Sequence, residues 1–91
     1  MNESEILLDV AVLGEQVRQF LNSDIGKYLL QHARGEEEDA IRKLVDINYR
    51  DADGILSLQN KIWRAKSVRS WLDEAVTAGL KAQTILEDRE D

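Results

Sequence analysis

The only histidine of the chain, His32, precedes Glu36 by four residues, a spacing that places both side chains on one face of a helix. Such a pair can supply two metal ligands. A catalytic zinc or di-iron site needs at least one or two more, and the sequence holds no second histidine and no cysteine. We therefore expect no metal and no cofactor. We assign His32 and Glu36, together with Arg69, to a polar layer that fixes the register of packed helices.

The segment YRDADGILSLQN, residues 49–60, partly matches a calcium-binding EF-hand loop. Asp51 and Asp53 suit the third and fifth positions, but Tyr49 and Asn60 stand where the first acid and the bidentate glutamate belong. A turn with an aspartate N-cap explains the same residues. The serines have no strand–turn–helix scaffold that could expose a nucleophile. We expect no catalytic residue, and a protein that is not an enzyme.

The segment KIWRAKSVRSW, residues 61–71, carries four bases, two tryptophans and no acid. It could bind an external anion or complement an acidic stretch of the chain itself. Trp63 and Trp71 lie eight residues apart, roughly on one side of a helix. Large aromatic side chains usually pack inside, here under the first helix, but an exposed tryptophan is a candidate anchor for a partner.

Eighteen acidic against twelve basic side chains give the chain a formal net charge of −6. Non-specific affinity for DNA or RNA comes mainly from cations that displace counterions from phosphates, so this charge argues against a nucleic-acid partner. No apolar run approaches the ~20 residues of a membrane span. The first residues place acids where a signal peptide has positive charge. We expect a single helical domain over residues 1–91 in the cytoplasm, with no membrane partner.

Proline is absent and apolar residues recur at intervals of three and four, which predicts an all-α protein. We expect an N-terminal helix over about residues 4–21, with Ser4 as its N-cap. A long antiparallel hairpin follows, formed by helices over about 24–47 and 53–89, with Asp51 or Asp53 as the second N-cap. The first helix packs on this hairpin to give a three-helix, bundle-like fold. Gly35 does not interrupt the helix that contains it.

The two hairpin helices have apolar stripes that can be aligned about the turn. The second-helix stripe is Ile25, Leu29, His32, Glu36, Ala40, Leu44 and Ile47, and the third-helix stripe is Ile55, Leu58, Ile62, Ala65, Arg69, Leu72 and Val76. In this register the acidic run of residues 36–39 lies beside the basic stretch 61–69. We therefore favour an internal electrostatic complement over an external anion contact.

Two segments resemble a group of small acidic helical proteins of tailed bacteriophages and prophages. They are RQFLNSDIGKYLLQHA and ILSLQNKIWRAKSVRSWLDEAVTAG, about two thirds of the chain. The shared positions are Phe20, Leu21, Gly26, Tyr28, Leu29, Leu30, Leu58, Gln59, Asn60, Trp71, Leu72, Glu74 and Ala75. The resemblance implies a phage origin near virion-assembly genes, with a location in the host cytoplasm or the virion. It supplies no catalytic residue, and Gly35 departs from the helix formers expected there.

Two functions follow as hypotheses. The first is a non-enzymatic protein-interaction module that binds another phage or host protein, in virion assembly or as an accessory factor. The alternative is an acidic inhibitor of a host nucleic-acid-binding or defence system, whose carboxylates would imitate phosphates in spaced rows on an exposed face.

A homodimer is the expected state. In the predicted register the third helix runs about twelve residues, or 18 Å, beyond Val76. Apolar residues there would face water if the first helix folded back along the hairpin. The predicted interface includes Leu80 and Leu86, with Trp63 and Trp71 as further candidate contact residues. The competing arrangement is a first helix that covers this end within one chain.

Overall fold

The computed structural model of the chain describes residues 2–90, which form three α-helices and no strand. Helix α1 spans Glu3–Asn22, α2 spans Asp24–Asp46 and α3 spans Ala52–Glu90. Each end lies within one residue of its prediction, and α2 continues through Gly35. The all-α class and the helical hairpin of α2 and α3 are confirmed, with α3 packed against both other helices.

Short polar side chains begin each helix. Asn2 caps α1, because its Oδ1 accepts a hydrogen bond from the backbone N–H of Glu5 at 2.8 Å. The prediction of Ser4 as this cap is therefore wrong by two residues. Ser23 Oγ accepts from Gly26 N–H at 3.0 Å and caps α2, and Asp51 Oδ1 accepts from Gly54 N–H at 2.9 Å at the start of α3. Each bond satisfies a backbone donor that a helix start leaves free.

Helix α3 runs the length of the molecule, and α1 and α2 cover its two halves in turn. Its 39 residues correspond to about 58 Å at 1.5 Å per residue, and the longest extent of the chain is 61 Å. Near one end Ile47 lies against Gly54, and near the other Arg89 bonds to Glu3. Both shorter helices are thus antiparallel to α3.

The end of α3 beyond Val76 is covered by α1, as in the competing arrangement and not as we expected for a folded-back first helix. The reason lies in the joint. Only Ser23, in extended conformation, separates α1 from α2, and one residue cannot reverse the chain direction. A Cβ at Gly26 would lie 1.8 Å from the carbonyl oxygen of Phe20, so the joint is closed tightly against backbone.

Small residues line the seam between the helices. The fully buried apolar residues among those described are four alanines, Ala11, Ala40, Ala65 and Ala82. Where α1 meets α3, a Cβ at Gly14 would lie 2.7 Å from Gly79 Cα. The backbones therefore approach closely at these positions, and the large residues of the seam, such as Leu58 and Leu72, are only half-buried.

The seam of α3 follows the predicted stripe and continues it to Leu86. Its buried and half-buried residues alternate at three and four, the seven-residue repeat of a coiled coil. The α2 seam consists of Gly26, Leu30, Ala33, Glu37, Ala40, Leu44 and Ile47. The predicted α2 stripe is thus correct from Ala40 to Ile47 and is shifted by one residue before Ala40.

Candidate protein-interaction surface

An ion pair joins α2 to α3 across the seam. The Nη2 of Arg69 donates to Oε2 of Glu37, and these side chains keep 28% and 12% of their accessible surface. The Nε of Arg69 is buried and has no hydrogen-bond partner among the described residues. Because an unpaired buried donor costs free energy, this pair selects a register more than it adds stability.

Of the predicted polar layer, Arg69 lies in the seam, but its acidic partner is Glu37 and not Glu36. His32 Nε2 lies 3.5 Å from Glu36 Oε1, and their side chains keep 60% and 54% of their surface. The one-residue shift of the α2 seam explains the difference, because it turns Glu37 inward and leaves Glu36 on the outside. Tyr28 stacks on His32 one turn earlier, also on the outside of α2.

Most other ion pairs form within one helix. Asp39 contacts Lys43 at 2.9 Å and Arg42 at 3.7 Å. The pKa of Asp39 is lowered mainly by the hydrogen bond from Lys43, and more weakly by the nearby charges of Lys43, Arg42 and Lys61. Among the described residues, Arg64 and Lys66 form no ion pair with the acidic run. The predicted complement is therefore reduced to the Glu37–Arg69 bridge and the influence of Lys61 on Asp39.

Trp63 and Trp71 lie on the outer surface of α3. Trp63 keeps 63% of its surface and Trp71 60%. The expectation that they pack under α1 is wrong, because α1 lies farther along α3 and small residues fill the seam. Both are exposed, which is the condition that makes them candidate anchors.

The two leucines predicted at an interface differ in their surroundings. Leu80 is 55% exposed and lines a groove with Glu15 and Arg18 of α1. Leu86 is half-buried, in the seam, and lines a second groove with Leu8 and Ala11. Since α1 covers this end of α3, the premise that led to these residues does not hold.

The chain has a continuous apolar face that the predicted site residues did not outline. On α3, one flank reads Val68, Trp71, Ala75, Ala78, Ala82 and Ile85, with steps of three and four and no charge between Arg64 and Arg89. On the covering helices, Ile6, Leu13 and Phe20 recur every seven residues, and Ile25 and Leu29 continue the row. We call the exposed large members the apolar face: Ile6, Leu13, Phe20, Ile25, Leu29, Val68, Trp71 and Ile85.

These residues share one side of the molecule because of their position in the heptad. Along each seam, residues are spaced alternately three and four apart. The residue directly before a seam residue that lies four after the previous one is on one side of an antiparallel pair, and these positions hold Ile6, Leu13, Phe20, Leu29 and Val68. The residues that come directly after a seam residue reached by a three-residue step lie on the other side. Two grooves confirm this: one is lined by Arg34, Lys66 and Asp73, and the other by Arg18 and Leu80.

The side opposite the apolar face, which we call the polar face, mixes both charges with single apolar residues. Its larger groove is lined by Arg34, Lys66, Arg69 and Lys81 together with Asp73 and Glu74. Leu80 and Trp63 lie among such charges. Isolated apolar side chains of this kind are ordinary on protein surfaces.

The sequence contains a signal for the apolar face that the single-stripe reading did not use. The sequence-based prediction gives each hairpin helix one apolar stripe and places large residues on it by preference. The seven-residue spacing of Ile6, Leu13 and Phe20 and the uncharged flank of α3 form a second stripe. It becomes visible once the glycines and alanines are assigned to the seam.

Within residues 2–90, no three histidine, aspartate or glutamate side chains are grouped closely enough to hold a metal ion. Over the same range, none of the helices combines the length and apolarity needed to cross a membrane. Comparisons with protein-family models, with curated proteins and with solved structures find no match to this chain.

Proposed function

We propose that this chain is a non-enzymatic protein-interaction module, which acts by presenting rigid helical faces to another protein. The observation that carries the proposal is the excess of exposed apolar surface. Of the described residues, no large side chain is fully buried, and the apolar face alone exposes eight large apolar side chains. Contiguous apolar surface of this extent marks interaction sites in folded proteins.

The shape of the chain leads to the same proposal. Its accessible surface is 6981 Å², whereas a compact monomer of its mass exposes about 5,400 Å². Its radius of gyration is 18.4 Å, against about 12 Å for a compact domain of this length. The excess, roughly 1,600 Å², is about twice the ~800 Å² that one partner contributes to an interface of standard size, so the chain exposes enough surface to bind another protein.

A role in virion assembly or as an accessory factor in a phage-infected cell suits such a module, if the chain has the phage origin that its sequence suggests. The alternative, an acidic inhibitor that imitates nucleic acid, has less support. Glu3, Glu15 and Asp39 are paired with bases of their own or a neighbouring helix, and Glu37 is withdrawn into the seam. These pairs neutralise carboxylates that an imitation of phosphates would leave free.

The test is capture of partner proteins on the immobilised chain from phage-infected cells, followed by binding measurements with each purified candidate. We expect a protein that binds wild type and is lost from the variant Trp63→Ala, Trp71→Ala. Its binding should survive about 0.3 M salt, because apolar contacts are not screened. A nucleic-acid-binding partner released by salt or by competing DNA would favour the inhibitor. No purified candidate binding, together with no self-association, would contradict the proposal.

A further inference from the structure

We infer that the apolar face binds a second copy of this chain, with the two-fold axis parallel to the helices. In this dimer α3 of one subunit lies over α1 and α2 of the other, and the two layers of paired helices form one bundle. The inference rests on the proposed function and specifies its partner. It moves the interface away from Leu80 and Leu86, which lie on the polar face and in the seam.

The area of the apolar face fits a dimer of this size. Its eight large side chains each expose between 37% and 68% of their surface. Together they offer roughly 800 Å², the share that one partner contributes to an interface of standard size. A short peptide would leave much of this area uncovered, whereas a second copy presents an equal area of the same length.

Small residues of α3 lie in the middle of the apolar face, between its larger side chains. Ala75 and Ala82 lie on this flank of α3 between Trp71 and Ile85, and because they are half-buried and buried they project little beyond the seam. Alanine side chains allow helix backbones to approach closely. With the two-fold axis parallel to the helices, this flank of α3 in each subunit packs against Ile6, Leu13 and Phe20 of the other.

Charges at both ends of the apolar face determine the direction of the axis. At the hairpin end, the α2 edge of this face carries Glu36 and Asp39, of which Asp39 is also paired with Lys43 of its own helix, and the α3 edge carries Lys61 and Arg64. At the other end, α1 carries Asp9 and α3 carries Arg89, whose guanidinium also bonds to Glu3 of its own chain. An axis parallel to the helices places α2 over α3 of the partner subunit, so that acids meet bases at both ends.

The other two-fold arrangement is disfavoured by the same charges. With the axis perpendicular to the helices, α3 would lie over α3 of the partner subunit. The charged edge of α2 would then cover the apolar row of the partner's α1. Burying Glu36 and Asp39 against Leu13 and Ile6 would desolvate the carboxylates without a base to pair with.

Two matched double variants test which face is used. Leu13→Glu with Trp71→Glu places charges on the apolar face, at residues 55% and 60% exposed. Leu80→Glu with Trp63→Glu makes the same substitutions on the polar side, at residues 55% and 63% exposed. Each variant is measured by light scattering behind a sizing column and by circular dichroism at about 100 μM, a concentration at which a dimer of micromolar affinity is formed.

We expect wild type to have twice the mass of the 10.4 kDa chain. The apolar-face variant should be monomeric and helical, with dimer affinity reduced at least about 100-fold, and the control variant should remain dimeric. A wild-type mass near 10.4 kDa would overturn the inference. Dissociation by the control variant alone would overturn it as well, because it would place the interface on the polar face.

Charge exchange tests the axis independently of the apolar contacts. One variant carries Glu36→Lys and Asp39→Lys, and the other carries Lys61→Glu and Arg64→Glu. Each alone brings like charges together in a homodimer, whereas their mixture restores opposite charges at both symmetric contacts. We expect the mixture to form a heterodimer at least about ten-fold tighter than either homodimer.

A mixture that binds no more tightly than the homodimers would overturn the axis. These outcomes are separable from failure of the proposed function. A wild-type chain that is monomeric and yet binds a purified partner through Trp63 and Trp71 would refute the second copy and leave the interaction module intact.

Discussion

Gly26 determines how closely α1 and α2 can meet at their joint. A Cβ there would lie 1.8 Å from the Phe20 carbonyl oxygen and 2.6 Å from its carbon. Both atoms belong to the backbone, and a joint of one residue offers little room to relax. Gly26→Ala is therefore expected to lower the free energy of unfolding by about 2–4 kcal/mol, as overpacking at a rigid contact does. Urea denaturation followed by circular dichroism measures the change.

Gly35 provides the matched control, because it also lies within α2 and a Cβ there would meet no atom within 4 Å. Alanine favours a helix interior over glycine, so Gly35→Ala should raise the free energy of unfolding by about 0.5–1 kcal/mol. Equal losses at both positions would contradict this account, because the close backbone contact at the joint would then not distinguish Gly26 from Gly35.

Glu37 is the acidic partner of Arg69 across the seam, so its replacement tests the observed register of α2 against α3. Glu37→Gln leaves the half-buried Arg69 without its carboxylate and should lower the free energy of unfolding by about 1–3 kcal/mol. Glu36→Gln, one residue away on the exposed side, should change it by less than about 0.5 kcal/mol. Thermal and urea unfolding of both variants at one protein concentration makes the comparison. A larger effect at Glu36 would restore the register predicted from sequence.

Asp39 gives the chain a testable dependence on pH. Its pKa is lowered in the folded state, chiefly by the hydrogen bond from Lys43. The unfolded state therefore binds more protons between the two pKa values, and the stabilisation is present above about pH 4 and lost as the pH falls through the lowered pKa. Asp39→Asn should destabilise the protein at pH 7, and the difference from wild type should shrink as the pH falls through the lowered pKa and vanish where the carboxyl is protonated in the folded state. A difference that persisted there would assign it to packing and not to charge.

At the scale of helices, the contact of α1 with α3 depends on Gly14 and Gly79. A Cβ at Gly14 would lie 2.7 Å from Gly79 Cα and 2.8 Å from the Ala75 carbonyl oxygen. Gly14→Ala should separate these helices and leave the α2–α3 hairpin in place. We expect faster amide hydrogen exchange in α1 and in residues 72–89, with exchange near Ala40 and Ala65 unchanged. Uniformly faster exchange would show that the three helices unfold as one unit.

The helices could be predicted because their signals are local. The absence of proline, the polar residues at 22–24 and the aspartates at 51 and 53 bound each helix within a residue. The stripe of α3 was also correct, since large apolar residues occupy most of its seam. Each of these features depends on neighbours in sequence, which is where propensity and capping act.

The predicted stripe of α2 is shifted by one residue because large apolar side chains are not the buried ones in the first half of this helix. Ile25 and Leu29 are larger than Gly26 and Ala33, yet the smaller residues form the seam. Close approach of two helices favours small residues, and the repeat that records it is seven residues long. The joint could not be predicted for a related reason, because Gly26 has no side chain and its function is to let the Phe20 carbonyl approach.

At the scale of the whole molecule, the chain is one layer of paired helices without a second layer to cover its flanks. The chain is 61 Å long but only 27 Å and 19 Å in its other two extents, as expected for helices paired side by side along one long helix. A chain of this shape cannot bury large side chains by itself, whatever its sequence. The apolar face is consequently a property of the architecture, and in the proposed dimer a second copy completes the core that the single chain lacks.

The size and shape of the particle in solution test the dimer as a whole. Stacking a second layer about 10 Å away doubles the mass but hardly extends the particle, because the displacement is small compared with the 61 Å length. The radius of gyration should therefore rise from 18.4 Å by only about 1 Å, and the longest dimension should stay the same. Small-angle X-ray scattering with light scattering on the same eluate measures both quantities. A doubled mass with a maximum dimension near twice 61 Å would indicate end-to-end association, and the apolar face would then not be the interface.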